Sequence, residues 1–77
     1  MAESVITRLL WRASVDREFR NRARQDLGFA LAQEGFILSD DEMAYLREWW
    51  EGLHGLGDRA AQERITAQAR RTTGKIF

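Results

Sequence analysis

The chain has 77 residues, room for one domain and no more. Twelve Lys and Arg balance twelve Asp and Glu, so the overall charge does not call for a polyanionic partner. There is no cysteine and one histidine, His54, which excludes disulfide scaffolds, thiolate metal sites and cysteine nucleophiles and leaves little for a histidine zinc site or a catalytic triad.

Proline is absent, and Ala, Arg, Leu, Glu and Gln dominate, all of them good helix formers. Val5, Ile6, Leu9 and Leu10 form a helical stripe with Trp11 beside it, and Ser4 is the N-cap of a first helix over residues 4–13 that fades at Ser14, Val15 and Asp16. Asp16 caps a second helix, on which Phe19, Ala23 and Leu27 recur every four residues and face the core. Asp16 with Arg20, and Arg22 with Asp26, are opposite charges four residues apart. A third, short helix over residues 26–34 starts at Asp26, buries Leu27, Ala30 and Leu31, and stops at Gly35 as a left-handed terminal residue.

The strongest local signal follows the apolar run Phe36, Ile37, Leu38. Ser39, Asp40, Asp41 and Glu42 fit the S-x-x-E capping box, and Leu38 and Met43 supply its hydrophobic staple. The fourth helix continues on Met43, Leu46, Trp50 and Leu53 until Gly52, Gly55 and Gly57 end it. Asp58 caps a last helix over residues 59–71, whose only large apolar residue is Ile65 beside Ala60, Ala61, Ala67 and Ala69. That helix is expected to dock weakly or to lie outside the core. The tail Thr72, Thr73, Gly74, Lys75, Ile76 and Phe77 carries no structural signal of its own. The expected fold is thus all-α: a compact bundle of four to five short helices with a C-terminal tail. Its parts are a bundle at 1–54, a Gly-rich loop at 55–58, and a basic helix and tail at 59–77. Charge follows these divisions: residues 1–38 carry net +1, residues 39–58 net −5 and residues 59–77 net +4.

Between Leu9 and Trp49 the chain resembles a known group. The segments are Leu10-Trp11-Arg12-Ala13, Asp16-Arg17-Glu18-Phe19-Arg20, Asp26-Leu27-Gly28-Phe29-Ala30-Leu31-Ala32 and Glu34-Gly35-Phe36-Ile37-Leu38-Ser39-Asp40-Asp41-Glu42. They are similar to the helical leaders of precursor peptides of ribosomally made, post-translationally modified natural products, including the nif-eleven type. The same pattern recurs in the small subunit of some aromatic-ring-opening dioxygenases. Arg17 and Leu27 stand where the group usually has proline, and Gly55-Leu56-Gly57 only approximates the double-glycine end of a leader. The resemblance implies a non-catalytic leader, bound by a modifying enzyme that acts on the C-terminal segment. The absence of cysteine excludes lanthionine, thiazole and thioether products.

On that reading the recognition residues are Phe36, Ile37, Leu38, Tyr45 and Trp49, and the modified segment contains Thr72, Thr73, Lys75 and Phe77. Each of Phe36, Ile37 and Leu38 also fits a core position, and Tyr45 and Trp49 fit partial burial against the last helix as well as an exposed contact surface. Trp50 shares the core stripe with Leu46. The alternatives are a helical accessory subunit of a larger catalytic chain, and a nucleic-acid-associated regulator using the basic patch Arg64, Arg70, Arg71 and Lys75. Arg17, Arg20 and Arg24 read as a solvated, salt-bridged face. Asp40, Asp41 and Glu42 are explained by the capping box and lack EF-hand spacing, and His54 reads as a helix-end residue meeting free carbonyls. No nucleophile and base are paired, so neither catalysis nor a metal or cofactor is expected. No apolar run approaches the ~20 residues of a membrane span and there is no signal-peptide core, so a cytoplasmic monomer or small homo-oligomer is expected.

Overall fold

The computed structural model describes residues 4–73, and these form five helices: α1 (Val5–Val15), α2 (Arg17–Gln25), α3 (Leu27–Gln33), α4 (Asp40–Glu51) and α5 (Asp58–Thr72). The chain is all-α, as its composition and periodicity imply. Polar side chains set the helix starts. Ser4 Oγ accepts from the Thr7 amide at 3.1 Å, and Asp16 and Asp26 accept from the amides of Phe19 and Phe29 at 3.0 Å. Asp16 and Asp26 each end one helix and begin the next, so α1, α2 and α3 are joined by single residues. Gly35 adopts φ 77°, and Phe36 N–H donates to Leu31 O at 2.9 Å while Gly35 N–H donates to Ala32 O at 3.2 Å. This is a Schellman end, and only glycine reaches that φ without strain. The capping box is formed as expected: Glu42 N–H donates to Ser39 Oγ and Ser39 N–H donates to Glu42 Oε1.

The core takes Ile6, Leu9, Leu10 and Ala13 from α1, Phe19 and Ala23 from α2, Ala30 and Leu31 from α3, and Leu46 and Trp50 from α4, with Leu53 just beyond it. Two expectations are corrected here. α1 runs on to Val15 rather than fading at Ser14. More important, α5 is not peripheral: Ala61, Ile65 and Ala69 are fully buried, and α1 and α5 form the most extensive helix pair. The small side chains that made α5 look weakly apolar let its backbone approach α1 closely, so few large residues are needed.

Polar contacts fix both ends of α5. Asp58 is not a cap; the N-cap is Gly57, which offers no side chain. Asp58 instead receives Arg20 Nε at 3.1 Å and Arg20 Nη2 at 3.0 Å. Arg20 is only 3% exposed, which corrects its assignment to a solvated face, and its Nη1 donates to the carbonyls of Ala13 and Ser14 at 2.9 and 3.1 Å. At the other end Thr7 Oγ1 donates to Thr72 Oγ1 at 3.0 Å and to Thr72 O at 3.2 Å, both buried. The expected helical ion pairs form with other partners: Asp16 pairs with Arg12 at 3.1 Å, and Arg22 with Glu34 at 3.6 Å.

Removing a buried charged partner strands those it leaves behind. We expect Arg20→Ala to destabilise the fold by about 3–5 kcal/mol in urea unfolding. Arg59→Ala, whose side chain is 92% exposed, should cost less than about 0.5 kcal/mol. An equal effect of the two would remove the special role of Arg20.

The carboxyls of Asp16 and Asp58 lie below the ordinary carboxylate range. For Asp16 the main cause is the hydrogen bond from Phe19 N–H, helped by Arg12; for Asp58 it is the hydrogen bond from Arg20. A carboxyl whose pKa is depressed by folding stabilises the fold above its unfolded value and loses that contribution as pH falls through the folded one. Stability should therefore drop on acidification from about pH 5 to pH 2, and Asp58→Asn should flatten that part of the melting-temperature profile.

Candidate recognition site

Between α3 and α4, residues 36–38 belong to no helix, and burial alternates along them: Phe36 and Leu38 are partly buried and Ile37 is exposed. Phe36 packs on the core with its ring 6.1 Å from that of Phe19, and Leu38 and Met43 both pack on the core. Ile37, between them, is 87% exposed, the most exposed large apolar residue among those described. The amides of Ile37 and Leu38 donate to no acceptor among the described residues. The link is thus held at both flanks, at Phe36 by the Schellman bond and at Ser39 by Glu42, with two amides lacking an acceptor among the described residues and an exposed isoleucine between. A shallow hollow of about 380 Å³ adjoins it, lined by Val5, Arg8, Glu34, Gly35, Phe36 and Ile37. Glu34 is held there by Arg12 at 2.7 Å. Of the three apolar residues expected to act together, Phe36 and Leu38 are anchors and Ile37 alone is presented.

Tyr45 and Trp49 lie elsewhere, on α4 where it faces α5, and both are half-buried. Tyr45 Oη accepts from Gln68 Nε2 at 2.7 Å, and the Trp49 ring lies 6.1 Å from that of Trp50 at 57°. Trp50 is core as expected, and its buried indole N–H has no hydrogen-bond partner among the described residues. Trp49 also borders a groove of about 560 Å³ between the two helices, with Leu56, Ala60, Glu63, Arg64, Ala67, Gln68 and Arg71. The five proposed recognition residues therefore form two surfaces rather than one.

The expected modified segment is divided as well. Thr72 belongs to α5 and is 2% exposed, so it is not tail, and its hydroxyl is closed off by Thr7. Thr73 is exposed and accepts from Trp11 Nε1 at 3.2 Å. Lys75 and Phe77 lie outside the described residues. In the basic patch, Arg64, Arg70 and Arg71 are exposed on α5, and Lys75 again lies outside the described residues.

The readings of the remaining polar residues divide. Asp40, Asp41 and Glu42 form the first turn of α4, and Glu42 closes the capping box. His54 is exposed, and the carbonyls past the end of α4, on Leu53 and Leu56, are reached by Arg24 of α2 instead. No group of three metal-ligating side chains occurs among the described residues. No helix among them is long and apolar enough to cross a membrane. The contacts that sequence reading misses are Thr7–Thr72 and Arg20–Asp58, 65 and 38 residues apart. No local spacing signals either pair.

Comparison with protein-family models, curated proteins and solved structures finds no match to the chain.

The Thr7–Thr72 contact decides which residues are reachable at the end of α5. Thr7→Val keeps the shape and removes the donor, and should cost about 1 kcal/mol. Hydrogen exchange of the Thr72 and Thr73 amides should then quicken while that of the α4 amides stays unchanged. Uniform acceleration across all helices would mean that the contact is not local in effect.

Proposed function

We propose that the chain is a non-catalytic precursor or scaffold peptide, whose helical domain is gripped by a modifying enzyme of natural-product biosynthesis that acts on the C-terminal segment. The observation that carries this reading is the 36–38 link. Ile37 stands exposed on a non-helical stretch where the amides of Ile37 and Leu38 have no acceptor among the described residues, clamped on both sides. An enzyme can add that stretch to the edge of one of its own sheets and seat the isoleucine in a pocket. Because the link is already ordered, little conformational entropy is lost on binding. Holding the domain then keeps the C-terminal segment at millimolar effective concentration near the active site. With the Thr72 hydroxyl enclosed, the reactive positions on this reading are Thr73, Lys75 and Phe77.

The test is intact mass spectrometry of the chain from its native cells beside the recombinant chain. A mass change or cleavage mapping to residues 73–77 supports the reading. An unmodified chain that co-purifies with a larger catalytic protein supports instead the accessory-subunit reading. Ile37→Asp, at a position 87% exposed, should leave helix content unchanged and lower modification by about tenfold or more. Full modification of that variant would remove the link from the recognition surface.

A further inference from the structure

Four charges on two neighbouring helices, two acidic on α4 and two basic on α5, stand without an ion pair among the described residues. Asp41 and Glu48 lie on α4; Arg64 and Arg71 lie on α5; all four are exposed. None of them makes an ion pair among the described residues. Glu48 and Arg64 even line the same hollow, of about 390 Å³, without meeting. In each helix the two charges stand seven residues apart, two turns or about 10.5 Å of helix. A helix carrying one set is therefore in register with a helix carrying the other.

We infer that the chain pairs with a second copy of itself, α4 of one lying against α5 of the other. A two-fold axis makes such a face self-complementary: Asp41 and Glu48 of each copy meet Arg64 and Arg71 of its partner, twice over. Like charges would oppose α4 on α4 and α5 on α5, so electrostatics selects the crossed arrangement. The apolar part of the face fits as well. Ala60 and Ala67 are exposed on α5 in step with Arg64 and Arg71, and they permit close approach of another helix. Trp49, half-buried in the groove beside them, supplies the aromatic anchor. This inference does not depend on the precursor reading.

Sedimentation velocity of the full chain over a concentration series tests it, with two charge-reversed variants. One is D41R with E48R, which puts basic residues at the facing positions of both helices; the other is R64E with R71E, which puts acidic residues at them. Circular dichroism confirms that each keeps its helices. The wild-type chain should dimerise reversibly at about 20 mM salt and weaken about tenfold or more at about 500 mM. Each variant alone should be monomeric, and an equimolar mixture of the two should restore a one-to-one complex. A wild-type chain that stays monomeric to about 1 mM at low salt overturns the inference. So does a dimer indifferent to salt and to both reversals, and so does a mixture of the variants that stays monomeric.

Discussion

One guanidinium organises this fold. Arg20 leaves α2 and is enclosed where α1 ends, where it meets the last carbonyls of α1 and the first carboxylate of α5. Burying an arginine is costly unless all of its donors find acceptors. Here the acceptors belong to two other helices, so the charge is accommodated only when α1, α2 and α5 are all in place. A chain of this size has a small apolar core, and such an all-or-none polar contact selects one arrangement among several of similar hydrophobic burial. The Ser14 carbonyl also accepts from Gln62 of α5, which ties the same corner a second time.

The far end of α5 follows the same logic with neutral groups. Thr7 and Thr72 satisfy each other in a place closed to water, and Trp11 reaches Thr73 just beyond. Between the two ends, Ile65 fills the core while Ala61 and Ala69 are small enough to let the helices touch. A helix with a single large apolar residue is thus integral to the core because both of its ends are tied by hydrogen bonds.

This explains which parts of the molecule were legible in the sequence. The caps at Ser4, Asp16, Asp26 and Ser39, and the glycine stop at Gly35, are local chemistry that each segment carries within itself, and the helices stand where those residues place them. Arg20 and α5 were misread because their roles are set by residues far away in the chain. An arginine stripe looks solvated until Asp58 arrives from another helix, and an alanine-rich helix looks peripheral until α1 is seen against it. The candidate site was legible only as a group. Phe36, Ile37 and Leu38 read alike in sequence, and only their packing in the folded chain separates the exposed Ile37 from its two anchoring neighbours. The precursor reading rests on that presentation and on resemblance, and the charge pattern of α4 and α5 stands apart from it.

The pairing of α1 with α5 also has a consequence for synthesis. During synthesis α1 finds its main partner only once α5 has been made, 65 residues later at the Thr7–Thr72 contact. Until α5 emerges, the apolar stripe of α1 is covered only in part, and the Arg20 charge lacks its carboxylate. The α1–α5 pairing therefore closes late, after the intervening helices have been made. Any factor that binds the unfinished chain meets α1 open, and that surface disappears when α5 docks.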